Sequence, residues 1–324
     1  MQSLFFSSRI EEEKRRDFLL GSRRFRFGGT EFYYSYSSTI CRLKERILRA
    51  AFSLGETRAS LDPLSRDFES LGRRLKEADA SAALDHYEPS FFLRQAYRHR
   101  DRVLKFPLRK KPCKNLSTEA GFSIASRFNG IIEISDALER AKETLFFLKE
   151  EDSLLRGILF HFLFEYIHPY AHGNGLAGRF LLTESFLQGP YSPIADSLSA
   201  YFLLDRQGYF LFFKRSEAAS AHGNLNPYLE GILGLIADGA EKELASLKET
   251  IASISYEERS LLDEPLTEKE RRVGAAFIRM RAYRPSKVTL RSLASMLGLS
   301  ERTFYRCLAS LKMKGIRMKN ALSD

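Results

Sequence analysis

The sequence predicts a mostly α protein, built as a neutral helical body followed by a small basic domain. Three observations point there. Apolar residues recur at helical spacing over much of the chain. Proline is sparse, at 10 of 324 residues. The positive charge is gathered at one end: Leu266 to Asp324 hold 14 Lys/Arg against 4 Asp/Glu, while the other 265 residues carry 37 of each sign. The net +10 of the chain therefore belongs to its last stretch, which suggests a nucleic acid or other polyanion as that stretch's partner. A solvated basic face is the plainer alternative. Length allows two or three domains, each able to bury a core. Three distant cysteines, Cys41, Cys113 and Cys307, exclude a disulfide scaffold and a CxxC zinc site. No window approaches a membrane span, and Met1 to Glu13 does not read as a secretory signal, so the expected location is cytoplasmic, with no membrane partner.

Taken in order, residues 1–36 mix charged and aromatic clusters and give no clear period. Ser37 to Ala82 reads as amphipathic helices interrupted near Gly55 and at Pro63. Arg94 to Lys114, broken by Pro107 and Pro112, reads as a basic loop. Phe122 to Ile134 surrounds Asn129-Gly130 with β-branched and aromatic residues, which predicts a short hairpin. Ser135 to Leu148 follows as a helix capped by Ser135. Ser153 to Tyr166 is apolar almost all round, with Arg156, His161 and Glu165 as its polar exceptions; a helix of that kind belongs at the centre of a bundle. Further helices run to about Ile254, and Glu257 to Pro265 reads as a connector. The expected domains are an N-terminal helical segment (1–90), a core (91–256), a linker (257–265) and a C-terminal domain (266–324). No internal repeat or low-complexity tract is present. His86, His99, His161 and His222 stand alone and read as structural.

The densest signal is His168-Pro169-Tyr170-Ala171-His172-Gly173-Asn174-Gly175-Leu176-Ala177-Gly178-Arg179. Pro169 ends the buried helix just after His168, leaving the imidazole at a helix end. Gly173-Asn174-Gly175 turns the chain into a second helix, Leu176 to Gln188, ended by Gly189 and Pro190. A glycine turn feeding a helix N-terminus offers unpaired N–H groups and a positive dipole end, which suits phosphate. Arg179, one turn in, adds a fixed charge. Taken alone, these residues also fit an ordinary helix–loop–helix.

The stretch resembles the signature of the Fic (Fido) family, H-P-[FY]-x-[DE]-G-N-G-R-x-x-R. His168, Pro169, Tyr170, Gly173, Asn174, Gly175 and Arg179 match with the spacing intact. Ile158 to Ile167 is similar to the family's central helix. Tyr201-Phe202 and Tyr209-Phe210 resemble its downstream aromatics, and Gly223-Asn224-Leu225 its last turn. The resemblance spans about residues 35–240. It implies a Fic-like helical bundle with a small β-hairpin flap, here at Phe122 to Ile134. It also implies transfer of a nucleotide part, usually AMP from ATP, onto a Ser, Thr or Tyr hydroxyl of a target protein. By that resemblance His168 is the catalytic base, Gly173, Asn174 and Gly175 shape the phosphate-binding loop, and Arg179 holds the terminal phosphates.

Two positions depart from the family. His172 stands where the family has the acid that holds Mg²⁺, and an imidazole is a poor ligand for so hard a cation. Leu176 replaces the first arginine. The expected metal at this site is therefore none, with ATP as the nucleotide to test. Three readings stay open: a scaffold, a nucleotide binder that transfers nothing, and an enzyme using another metal or a less charged substrate. Many family members also block themselves with a helix reading [ST]-x-x-x-E-[GN], whose glutamate pairs with the arginine matching Arg179. Ser37 and Cys41 occupy the best-matching context, with Cys41 in place of the glutamate; Ser7 to Glu11 is the competing segment.

Leu290 to Leu311 has the spacing of a helix-turn-helix. Small Ala294 lets two helices approach, Gly298 permits the turn, and Leu299, Phe304 and Cys307 close the pair. Ser300 is the expected N-cap of the second helix, with Arg302, Thr303, Tyr305 and Arg306 on the face that reads DNA. Glu268 to Arg281 supplies a preceding helix, and Lys312 to Ile316 resembles the start of a wing, giving a winged-helix domain. A basic bundle used for protein contacts is the alternative. The leading expectation is a regulator with a degenerate Fic site, binding nucleotide and DNA; the alternative is an active protein adenylyltransferase. A protein target and a homodimer complete the expected partners.

Overall fold

The computed structural model describes residues 22–27, 30–86, 152–168, 174–187, 189–217, 222–284 and 288–316. The expected hairpin at 122–134, the helix at 135–148, Cys113, Ser7 to Glu11 and the stretch after Ile316 lie outside the described residues.

The described chain opens with a two-stranded antiparallel hairpin, β1 (Arg23–Phe27) and β2 (Thr30–Tyr34), in register from Arg23↔Tyr34 to Phe27↔Thr30. No period was legible there, because three arginines interleave with the aromatics. The strands nonetheless sort them: Phe27, Phe32 and Tyr34 are buried while Arg23, Arg24 and Arg26 are exposed. β2 is tied to the turn before the last core helix by Tyr33 N–H to Gly223 O and Leu225 N–H to Tyr33 O, both 2.9 Å.

Helix α1 (Ser38–Ala59) starts at Ser37, whose side chain accepts from the Ile40 N–H. It runs straight through Gly55, where an interruption was expected. Ile40, Leu43, Ile47, Ala50, Ala51 and Leu54 form one buried stripe, and that burial outweighs the roughly 1 kcal/mol a helical glycine costs. The break comes at Ser60 to Asp62, where Asp62 caps α2 (Pro63–Leu84) and Pro63 occupies its first turn.

Helix α3 (Ser153–Ile167) is capped by Asp152, and Leu154, Leu155, Ile158, Leu159, Phe162 and Leu163 are fully buried, as its near-uniform apolarity predicts. α4 (Asn174–Phe186) packs against it. A 3₁₀ turn (Ser192–Ser197), α5 (Leu198–Leu204) and α6 (Arg206–Glu217) lead to α7 (Asn226–Ser260). This 35-residue helix packs along α1 and extends past Ile254 into the expected connector.

The basic domain contributes α8 (Glu268–Tyr283), α9 (Leu290–Met296) and α10 (Glu301–Met313). Val273, Phe277, Leu293, Phe304, Leu308 and Leu311 form its core, and Phe68 of α2 joins them. At its other end α2 places Leu84 in the main core. Helix α2 thus contributes to both cores. Among the described residues the fold is predominantly helical with one small antiparallel hairpin.

Candidate functional site

Helix α3 terminates at His168, whose backbone is left-handed (φ 50°, ψ 60°) while its N–H still reaches Phe164 O. A proline follows, and proline disfavours helical geometry in the residue before it. The ring Nδ1 lies 2.9 Å from the Glu165 main-chain oxygen. A carbonyl can only accept, so Nδ1 carries the proton and Nε2 keeps its lone pair. The side chain is 44% exposed. His168 is thus held at a helix end with its basic nitrogen available.

Arg179 behaves differently. Its helix begins at Asn174, two residues earlier than expected, and the side chain is 1% exposed. The guanidinium is engaged by the end of α2 and its C-cap, Asp85. Nε donates to Ser81 Oγ (3.0 Å) and Nη2 to Ser81 O (2.8 Å), while Nη1 and Nη2 fork onto Asp85 Oδ1 and Oδ2 (3.3 and 2.9 Å). A Cβ added at Gly175 would meet Asp85 Oδ2 at 2.6 Å. Asp85 therefore lies against the first turn of α4, beside the motif's arginine, where an anion is favoured. Asn174 is buried and Leu176 half-buried on the same turn. Gly173, His172 and the residues back to Pro169 lie outside the described residues.

Ser37 and Cys41, the residues expected in the inhibitory segment, make other contacts. Ser37 caps α1 and donates to Glu230 Oε1 at 2.6 Å, and Cys41 is exposed on α1. The groups that hold Arg179 are Ser81 and Asp85. Ser81-Ala82-Ala83-Leu84-Asp85-His86 carries the pattern with Asp for Glu and His for Gly/Asn. His86 has φ 58°, the left-handed conformation that Gly or Asn adopts most readily. A Ser-x-x-x-acid spacing at a helix end was legible in the sequence, but a pattern restricted to glutamate passes over it.

Behind the arginine a buried polar chain leads back to His168. The Tyr209 hydroxyl feels the Arg179 charge and is 2.8 Å from His161 Nε2. His161 Nδ1 is 4.0 Å from Glu165 Oε1, and Glu165 Oε2 is 3.9 Å from His168 Nδ1. A Cβ at Gly178 would come within 2.3 Å of Glu165 Oε1, so only glycine lets that carboxyl pack here. Burial raises the Glu165 carboxyl to about 7, helped by Asp85 and Glu217 and opposed by Arg179. Burial, then the Arg179 charge, lowers His161 to about 3. Burial also raises the Tyr209 phenol above its ordinary value. At neutral pH His161 is neutral and Tyr209 keeps its proton.

The second candidate surface lies on α10. Ser300 accepts from the Thr303 N–H as expected, and Gly298 takes φ +65° in the turn between α9 and α10. Arg302, Tyr305 and Arg306 are exposed and Thr303 is half-buried, while Phe304 is fully buried beneath them.

Among the described residues no group of His, Cys, Asp and Glu could hold a metal ion, and no helix is long and apolar enough to cross a membrane. By the resemblance the metal position falls on His172, and an imidazole suits Mg²⁺ poorly. No curated protein matches the chain. Among solved structures it is similar to a Fic family protein from Desulfovibrio desulfuricans G20, at 16% identity and a TM-score of 0.45, over 90% of this chain and 92% of that one. The sequence pattern of the Fic/DOC family matches residues 73–185, the stretch that holds Ser81, Asp85, His161, Glu165, His168 and Arg179. Over those residues the chain is similar to the Fic/DOC family.

Proposed function

We propose that the protein is a regulator in which a degenerate Fic site binds the phosphates of a nucleotide such as ATP without Mg²⁺, and the C-terminal domain binds DNA. The observation that carries this reading is the state of Arg179. It is the one arginine left in the motif, and it is buried and bonded to Asp85 and Ser81. An internal carboxylate thus stands where phosphate would bind, and nucleotide has to displace it. With Leu176 and His172 at the other two charge-bearing positions, little remains to neutralise the charge that develops in phosphoryl-type transfer. The exposed Arg302 and Arg306 on a capped helix favour the DNA half.

Calorimetric titration of ATP into the wild type, Asp85→Ala and Arg179→Ala, with and without Mg²⁺, tests the nucleotide half. The expected result is weak binding to the wild type and binding at least tenfold tighter to Asp85→Ala. That binding is lost with Arg179 and indifferent to Mg²⁺. Absence of binding in Asp85→Ala would leave the Fic core a scaffold.

One observation favours a second reading, an active adenylyltransferase. His168 keeps the tautomer and the exposure of a general base. Labelling of a partner protein from ATP that disappears in His168→Ala would establish it.

A further inference from the structure

We infer that Glu165 is a positioning residue for His168, and that the buried chain Arg179–Tyr209–His161–Glu165 passes to it the state of the Asp85 clamp. The inference rests on reading His168 as the base, and it adds a residue and a coupling to that reading.

The order of the chain fixes its proton directions. The Arg179 charge stands over the Tyr209 phenol, which turns its own proton toward His161 Nε2, 2.8 Å away. His161, being neutral, then carries its hydrogen on Nδ1, which faces Glu165 Oε1. Neither His161 Nδ1 nor Glu165 Oε1 makes a close hydrogen bond among the described residues, and the Gly178 main chain also favours a proton on Nδ1. Both atoms are buried, and a polar atom left unpaired in such a place is costly. Tyr209 OH, Glu165 and His168 therefore line up through one imidazole that has no solvent to answer to.

The groups facing Glu165 come from every element packed around it. They are His161 and His168 on its own helix, Arg179 on α4, Asp85 at the end of α2, and Tyr209 and Glu217 on α6. The buried phenol of Tyr228 on α7 completes them. Arg179 is the fixed cation among these and favours the carboxylate, and Asp85 offsets it. With the clamp closed, Glu165 holds its proton more tightly. With the clamp open, the guanidinium is uncompensated and Glu165 ionises more readily. A carboxylate then stands 3.9 Å from the N–H of His168 and supports the positive ring that forms when Nε2 takes a proton from a hydroxyl. No proton passes to Glu165 in that step. The clamp thus acts twice, shielding the phosphate-binding cation and weakening the base.

The test uses the full chain labelled with [13C]glutamate, with the Glu165 Cδ resonance assigned by its loss in Glu165→Gln. The expected midpoint is near 7 in the wild type and about one pH unit lower in Asp85→Asn, a tenfold change in proton affinity. Asp85→Glu leaves it in place. An unmoved midpoint in a folded Asp85→Asn protein overturns the coupling. Tyr209→Phe serves if Asp85→Asn does not fold: losing the hydroxyl frees His161 from a single tautomer in its ¹⁵N spectrum, and one persisting tautomer overturns the chain. For positioning, carbethoxylation of His168 by diethyl pyrocarbonate at pH 8 is several-fold slower in Glu165→Gln than in wild type, and Glu165→Asp restores part of the rate. Equal rates overturn the positioning role. None of these readouts needs nucleotide or transfer activity, so failure of the functional reading would show separately.

Discussion

Two regions of the molecule place arginine beside a helix start, and they treat it in opposite ways. On α10, Arg302 and Arg306 stand exposed after the Ser300 cap. On α4, Arg179 is 1% exposed and engaged by Ser81 and Asp85. Water keeps a surface guanidinium charged at no structural cost. A buried one must carry its own anion whenever no ligand is present, because an unpaired charge in a low-dielectric interior is not tolerated. A site built on a buried arginine is therefore gated by whatever carboxylate it keeps, while a surface built on exposed arginines is open at all times. The protein has arginines of both kinds.

Removing the two kinds of arginine should have very different consequences for stability. Arg179→Ala leaves the Asp85 carboxylate, 17% exposed, without its partner and vacates a packed site. The expected loss is about 3–5 kcal/mol by urea denaturation. Arg302→Ala should fall within about 0.5 kcal/mol of wild type. Similar losses in both would remove the distinction between a buried, self-paired cation and a presented one.

Buried carboxylates sharpen the comparison through pH. Glu77 of α2 is fully buried and accepts from Ser199 N–H (2.9 Å) and Ala200 N–H (3.2 Å) at the start of α5. Burial raises it from 4.5 to about 7, against the pull of those donors. The folded state then binds the proton more tightly than the unfolded one. Its contribution is complete below about pH 4.5 and is lost as pH rises toward 7, by about 3 kcal/mol at most. Glu165 slopes the same way. His161, lowered to about 3, slopes oppositely, losing stability as pH falls below its ordinary 6.5. Glu77→Gln should flatten the wild-type decline between pH 4.5 and 7 in denaturant titrations. An unchanged slope would mean that Glu77 is ionised in the fold at all these pH values.

The same contrast explains what the sequence could and could not tell. The turn between α9 and α10 and the start of α10 were legible to the residue, because Ser300, Gly298 and Phe304 act locally: a cap, a turn and a buried apolar position follow from spacing alone. His168 was legible for the same reason, since Pro169 dictates where its helix stops. The clamp was not. Asp85 is 94 positions from Arg179, and nothing in local periodicity says that α2 crosses the start of α4. The N-terminal hairpin was missed because arginines alternate with its aromatics, so one face of each strand carries charge and masks the apolar face. Gly55 misled in the other direction, since a buried stripe on both sides carried the helix through it.

DNA affinity separates the regions again. Arg302→Ala and Arg306→Ala should each weaken DNA binding by about 1–3 kcal/mol if they reach bases, or lower the salt dependence by about one counterion if they meet phosphate. Asp85→Ala, which opens the other site, should leave it unchanged. Fluorescence anisotropy against a pool of duplexes at two salt concentrations distinguishes these outcomes. DNA binding that survives both arginine changes would move the interface off α10.

The smallest effect concerns how firmly α10 presents that face. Ser300 is the first residue outside the helix, and its Oγ accepts from the Thr303 N–H at 3.3 Å. That N–H belongs to the turn that carries Arg302 and Thr303, so losing the cap frays the part of α10 that faces outward. Phe304, fully buried one residue further on, holds the rest of the helix in place. Ser300→Ala should therefore cost about 1 kcal/mol in denaturation. Ser300→Asp should restore that stability, since aspartate caps as well and suits the helix dipole. The same aspartate puts a negative charge beside Arg302, so DNA binding should weaken while the fold recovers. Affinity that instead follows stability through both variants would show that helix order, and not the charge of its first turn, governs this surface.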